Sequence, residues 1–503
     1  MKRLVIQYGH IALSLLLFVG VWVFWAIGFP HALSYQEQYQ LFQWTGDYFI
    51  ERCSVAGGLA DWIGEFIVQF YYWPWLGALL LALLFVAIHR LCLALTARLS
   101  PLAAHLLSLL PVVVLWWMMG DINLLLSFVV AVMLALAMAC IPLKGRWQWA
   151  DVLIVPVGYW LIGPLVWLYV LLRVVQRGWR WLWLAVWLPV VQWAAAVWLL
   201  PQWPMQSVML SGITYYRIPM QYPQLKGFDA DIYELVRQDY MVRNERWDDI
   251  IERAGEHVVE TPFWSNCVNL ALSQKRQLAE RQFDFYQSGD DALIMPSVRD
   301  MTSNLPSAEA FFRLGLVNSA QRYMFDIQES ILNAKKSGRC TKRIVECMLI
   351  NGHYKPVVKH ISLLKKSLFY RSWAEEAERV VTADSAIREE RINSHPVWGR
   401  LRQLRFKNDF LYSHGEKDKI FGLLFMDNHD NKMALDYFIA ELLLRGDVQA
   451  VMQSMQWAEQ YGGYRYMPAG YQDAMRCIQS HGQASGSKYG AYVRRMMQKG
   501  GKP

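Results

Sequence analysis

Up to Trp203 the apolar residues of this chain fall in long runs; beyond Pro223 they fall in stripes of helical spacing. Val5 to Gly28 is a 24-residue, largely apolar run behind Lys2 and Arg3. A bilayer crossing takes ~20 helical residues, and a signal peptide has a shorter apolar core with a small-residue cleavage site. The run therefore predicts an uncleaved first span with its N-terminus in the cytoplasm. Further apolar segments follow at Pro74 to Ile88 (extending to Leu95), Leu102 to Met119, Ile122 to Leu143, Asp151 to Leu172 and Trp181 to Leu200. Together they predict a polytopic helical membrane module over residues 1–203. Tyr71-Tyr72-Trp73-Pro74-Trp75 and Trp179 to Trp183 suit aromatic belts at its interfaces.

Past Pro223 short turns separate amphipathic helices, and strand signals are few. Turns are expected at Asn244 to Trp247, Val317-Asn318-Ser319, Asn351 to Tyr354, where Pro356 suits a first helical turn, and Arg445-Gly446-Asp447. Their spacing, 33 residues from Asn318 to Asn351 and 74 from Asn244 to Asn318, is near one and two helix-turn-helix units. A period near 34 points to a tetratricopeptide-like solenoid. The expected fold is all-α: the membrane module, an α-helical repeat-like domain over 224–480, and a basic mobile tail over 481–503.

Composition marks the same boundary. The first 203 residues hold 10 Lys/Arg, 7 Asp/Glu and 19 of the 24 Trp; the other 300 hold 40 Lys/Arg and 35 Asp/Glu. The acid-free clusters Arg90/Arg98, Lys144/Arg146 and Arg173/Arg177/Arg180 all belong in the cytoplasm by the positive-inside rule. The last two can share a side if Asp151 to Leu172 enters and returns without crossing. Pro156, Gly158, Gly163 and Pro164 would interrupt that segment. The C-terminal domain then lies outside the cytoplasm; a plain crossing would put it inside, and the charge rule favours the first.

The net charge of +8 is spread over both parts, with no basic stripe carrying interleaved aromatics, so nucleic acid is not an expected partner. The seven cysteines show no metal spacing and read as small buried residues. His353 and His360 near Glu346 lack a compact ligand set. No Walker loop, Gly-x-Ser-x-Gly, His-Glu-x-x-His or dinucleotide fingerprint is present, and no cofactor is named by the sequence.

The loop between the first two spans, His31 to Trp73, gathers five of the seven carboxylates of the module: Glu37, Asp47, Glu51, Asp61 and Glu65, with Arg52 among them. Ser34 and Glu37 have the spacing of a capping box. If a helix continues through Gly46, then Glu37, Gln40, Trp44, Asp47 and Glu51 form one stripe along it. Gly57-Gly58 permits a turn, after which Asp61, Glu65 and Gln69 fall on one side of a second helix. Leu59, Ile63, Phe66 and Phe70 fall on the other. Such helices lie at a membrane interface with the polar side up, so the stripes are either solvated faces or the walls of a site.

Ser34-Tyr35-Gln36-Glu37-Gln38-Tyr39, followed by Thr45-Gly46-Asp47-Tyr48, resembles the Asp-Glu-x-x-Tyr and Gly-Asp-Trp pieces of GT-C membrane glycosyltransferases. Gln36 stands where that class has its Asp. The resemblance implies a polyprenyl-linked sugar as donor, Glu37 or Asp47 as general base or metal ligand, and Glu51, Asp61, Glu65 and Gln69 as substrate-binding residues. The stretch from Gly57 to Asp61 and on from Gln69 to Gly77 resembles uncharacterised multi-span inner-membrane proteins of Bacteroidota, implying an envelope location. Two functions follow as expectations. One is a GT-C-like transferase acting on lipid-linked sugars. The other is a membrane-tethered scaffold whose helical domain binds a protein partner.

Overall fold

Proline marks several helix starts, because its missing N–H costs nothing in the first turn. Pro30, Pro74 and Pro101 each open a helix in this way. The computed structural model describes residues 2–199, 227–331, 335–406, 413–461, 464, 466–480 and 486–499. It is all-α, with no β-strand among the described residues. The expected composition boundary between Trp203 and Pro223 lies outside the described residues. The chain forms two compact units: Met1–Tyr233 with Lys366–Phe369, and Glu234–Lys365 with Tyr370–Pro503.

In the first unit the helices are α1 (Lys2–Val23), α2 (Pro30–Glu37), α3 (Gly46–Cys53), α4 (Gly58–Val68) and α5 (Pro74–Thr96). They continue as α6 (Pro101–Met118), α7 (Leu126–Cys140), α8 (Asp151–Ile162), α9 (Val166–Arg177) and α10 (Leu184–Ala194). The central α5 packs on α1, α6 and α7. It buries Ala78, Leu81, Phe85, Ile88 and Cys92, one helical stripe. Among the described residues five apolar runs have the length and composition to cross a membrane: Gly9–Gly28, Pro74–Thr96, Pro101–Met118, Gly145–Arg177 and Trp179–Leu199. Their outer faces keep Leu16, Leu106, Leu153, Val175 and Val186 exposed.

One of the six expected segments is shorter than expected. Ile122 to Leu143 yields a helix of only 15 residues, Leu126–Cys140. The 33-residue run Gly145–Arg177 is not one rod. It breaks at Gly163-Pro164 and doubles back, so that Arg177, at the end of α9, pairs with Asp151, at the start of α8. Of the four expected interruptions only Gly163 and Pro164 break the helix; Pro156 and Gly158 lie within α8.

The second unit begins within α11 (Ala230–Arg243) and continues through α12 (Trp247–Glu256), α13 (Pro262–Gln274), α14 (Leu278–Arg281), α15 (Leu305–Leu314) and α16 (Val317–Ser330). Next come α17 (Gly338–Asn351), α18 (Tyr354–Lys365), α19 (Arg371–Val381), α20 (Ser385–Ser394) and α21 (Trp398–Leu404). The last are α22 (Lys417–Asp427), α23 (Lys432–Arg445), α24 (Val448–Gln460), α25 (Ala469–Gln479) and α26 (Lys488–Gln498).

One cap recurs through this unit. Glu245, Arg276, Gly315, Gly352 and Gly446 each have φ between 55° and 90° just past a helix. The N–H of the following residue then reaches back to a carbonyl in the last turn, as in Arg246 to Met241 (2.9 Å), Leu316 to Phe311 (3.0 Å) and His353 to Met348 (2.8 Å). This is the Schellman arrangement, which closes one helix and aims the chain into the next. The expected turn at Val317 to Ser319 is displaced: these residues form the first turn of α16, because Gly315 supplies the left-handed position two residues earlier. Asn318 instead accepts a hydrogen bond from the Asn351 amide (2.7 Å). The expected mobile tail also carries structure. Helix α26 buries Tyr489 and Tyr492, whose hydroxyls donate to the Leu443 and Leu444 carbonyls at 3.1 and 2.7 Å.

Candidate functional site

The acidic loop of the first unit separates its carboxylates. Helix α2 ends at Glu37, and the chain is non-helical through 40–45 before α3 begins at Gly46. The continuous stripe from Glu37 to Glu51 therefore does not form. Ser34 lies inside α2, which starts at Pro30, so it is no N-cap; Thr45 fills that role for α3, accepting from the Tyr48 N–H at 3.3 Å. Glu37 is buried at the end of α2, whereas Asp47 and Glu51 are exposed on α3. Asp47 sits in the first turn, where a negative charge suits the helix dipole.

Helix α4 turns its polar side into the protein. Glu65 and Gln69 are buried and Asp61 is half-buried, while Leu59, Ile63, Phe66 and Phe70 remain partly accessible. The expected polar-side-up arrangement is thus inverted. The cause is close packing on α7: a Cβ at Gly64 would lie 2.8 Å from the Ser127 backbone N. The Glu65 carboxylate accepts from the Tyr48 hydroxyl and pairs with Arg52 at 3.3 Å. The Arg52 guanidinium also lies over the Tyr48 ring, 4.9 Å from its centroid. Burial, then the Glu65 charge, push the Tyr48 hydroxyl well above its usual range. Burial disfavours the Arg52 cation, but Glu65, Tyr48 and Asp61 outweigh it and raise its pKa. A carboxylate engaged in this way ties α3 to α4 and is poorly placed to take a proton from a substrate.

Gln69 accepts from the Trp44 indole N–H (3.1 Å) and donates to the Phe66 carbonyl (2.9 Å), fixing the non-helical stretch to α4. Gln36 donates to the carbonyls of Ile122 (3.2 Å) and Leu124 (3.0 Å) ahead of α7. An ionised Asp there would have no donor to offer those carbonyls.

A second buried polar centre holds the α8–α9 hairpin. Asp151 is fully buried, accepts from the Tyr169 hydroxyl and pairs with Arg177. Arg173 donates to the carbonyls of Met138 (3.1 Å), Ala139 (3.2 Å) and Ile141 (3.0 Å) at the end of α7. A cation there is favoured by the helix dipole. Among the described residues no group of three or more His, Cys, Asp or Glu could hold a metal ion.

The second unit contains a cavity of about 750 Å³, walled by the ends of α11, α13, α15 and α21 and by α17. Seven cationic side chains line it against three acidic ones, Glu245, Glu346 and Asp430, with apolar patches at Val397, Leu401 and Met433. Beneath the wall, buried Glu309 pairs with Arg313 (2.9 Å) and Arg343 (2.7 Å). Burial opposes that charge, but Arg343, Arg313 and Arg339 hold the Glu309 carboxyl down at about 2.

A model of a family of unknown function, DUF6057, matches residues 5–499. The chain belongs to the DUF6057 family. The match runs through both units, so the apolar module and the helical domain are parts of one DUF6057 architecture. No curated protein and no solved structure matches the chain. The cavity of this DUF6057 chain escaped the sequence reading because its lining comes from segments spread between Arg243 and Met433. The available signal was the basic residue in the last turn of α11 and of α15, Arg243 and Arg313.

Proposed function

We propose that this chain is a multi-pass inner-membrane scaffold whose helical domain binds a protein partner. The observation that carries this reading is the cavity in the helical domain, lined by charges of both signs and by apolar side chains. A lining of that kind complements a polypeptide better than a single small functional group. The bilayer is the other partner, reached by the five apolar runs.

The C-terminal domain is assigned to the extracytoplasmic side. Two features support this. The α8–α9 hairpin brings Asp151 and Arg177 to one end, which lets Lys144, Arg146, Arg173 and Arg177 share the cytoplasmic side. Phe228 and Tyr233, beyond the last apolar run, pack on Phe29, just after the first, at 5.7 and 5.3 Å between ring centroids. The alternative, a GT-C-like transferase using a polyprenyl-linked sugar, needs Glu37 and Asp47 to converge on one substrate. One is buried and the other exposed, so the geometry favours the scaffold.

A photo-crosslinking residue at exposed Gln403, beside the cavity, tests the reading in the full-length chain in its native membrane. A discrete protein adduct is expected at Gln403 and not at exposed Glu375, which lies outside the cavity lining. Function should persist in Glu37→Gln and Asp47→Asn. No adduct at Gln403, or loss of function in either acid variant at normal protein level, would overturn it.

A further inference from the structure

Most of the charge around the cavity in the helical domain is already answered. Arg313 pairs with Glu245 at 2.7 Å, and Arg343 with Glu346 at 2.8 Å, in addition to their shared partner Glu309. Lys342 lies over the Trp373 ring, 5.1 Å from its centroid. Arg276 and Arg400 differ: both line the cavity, both are exposed, and neither has a carboxylate within ion-pair distance among the described residues. Ser273 lies one turn before Arg276 at the end of α13. It is 3% exposed, lines the cavity, and its hydroxyl has no hydrogen-bond partner among the described residues. Buried hydroxyls are nearly always satisfied, so this one marks a place where an incoming group completes the set.

The ligand must suit the rest of the lining. Glu245, Glu346 and Asp430 also face the cavity, and α11, α13, α15 and α21 present their carbonyl ends there. A compact inorganic anion brings mostly acceptors and no apolar surface, and would meet these acceptors unfavourably. A peptide brings carboxylates for the arginines, N–H groups for the acceptors, and apolar side chains for Val397, Leu401 and Met433.

Resting on the scaffold reading, we propose that the cavity binds an acidic, partly apolar peptide segment of the partner protein. Its carboxylates pair with Arg276 and Arg400, and a peptide carbonyl accepts from the Ser273 hydroxyl. Arginine suits this role because its planar guanidinium grips a carboxylate with two parallel bonds.

The test uses the full-length chain in detergent micelles and a fluorescent hexapeptide of alternating Glu and Leu, with its Gln–Leu counterpart and inorganic phosphate as controls. The Glu–Leu peptide should bind at least about tenfold more tightly than the Gln–Leu peptide, and tenfold is the factor one good interaction supplies. Phosphate should not displace it. Arg276→Gln and Arg400→Gln should each weaken binding about tenfold, and Ser273→Ala should weaken it a few-fold. Lys275→Gln should change nothing, since Lys275 lies outside the lining and pairs with Asp248 at 2.9 Å. Thermal unfolding of each variant checks that it folds. Equal binding of the two peptides, displacement by phosphate, or binding insensitive to Arg276 and Arg400 in folded variants would overturn the proposal. An adduct at Gln403 together with that insensitivity would leave the scaffold and remove the acidic segment. Peptide binding without any adduct would remove the scaffold.

Discussion

The acidic loop of the first unit and the cavity of the second are opposites in how they treat charge. In the loop, the inward-facing carboxylate Glu65 is closed off by Arg52 and Tyr48, while Asp47 and Glu51 stand exposed on the preceding helix. In the cavity, Arg313 and Arg343 pair with Glu245 and Glu346, and Arg276, Arg400 and the Ser273 hydroxyl are left over. A dense cluster of acids in sequence is therefore weak evidence of a site. What marks a site is charge or hydrogen-bonding capacity that folding leaves unused.

The comparison can be broken most forcefully at Glu309. Glu309→Gln should cost roughly 3–5 kcal/mol, the usual loss when one partner of a buried ion network is removed, measured by unfolding of the second unit in the full-length chain. The pH dependence has a fixed sign. The Glu309 carboxyl is depressed from 4.5 to about 2 in the folded state, so its contribution is complete above pH 4.5 and disappears as pH falls from 4.5 through 2. The loss should be about 3 kcal/mol, and the Gln variant should lack this part of the acid sensitivity.

Arg52→Met should cost about 3 kcal/mol by stranding Glu65. The double change Arg52→Met with Glu65→Leu should cost less than the two singles together, since no charge is then left unpaired. Additivity in a double-mutant cycle would break the view of this pair as a structural tie. Gln36→Glu should cost about 2 kcal/mol, because an acceptor replaces the donor that serves Ile122 and Leu124. Gln36→Asn should be milder, keeping an amide donor that falls one methylene short. At the small end, Asp47→Asn and Glu51→Gln should shift stability by no more than about 0.5 kcal/mol. A large effect of either on function, at unchanged stability, would return the loop to candidacy as a site.

Much of the fold was legible in the sequence because it is written locally. The long apolar runs, the Gly57-Gly58 turn before α4, and the glycines that close α17 and α23 act over a few residues. Gly163-Pro164 marks where the segment turns back, whereas Pro156 and Gly158 stay within α8. The loop was harder to read because Gly46 did not extend a helix but started one, so an expected stripe of five residues fell on two helices and the non-helical stretch between them. Arg173 and Arg177 were legible only as topology signals. Their partners, Asp151 and the carbonyls at the end of α7, lie 22 to 35 positions earlier, and only the folded chain brings them within reach.

By itself the sequence determined that this is an all-α chain with an apolar, Trp-rich part and a polar helical part, because hydrophobic period, caps and composition are properties of short windows. The tertiary structure decided which way α4 faces, where the hairpin closes, and which charges are answered. Those outcomes depend on pairings such as Arg52 with Glu65, Arg177 with Asp151 and Arg343 with Glu309. Whether a buried charge is compensated is set by atoms a few ångströms away, and the chain order of those atoms carries almost none of that information.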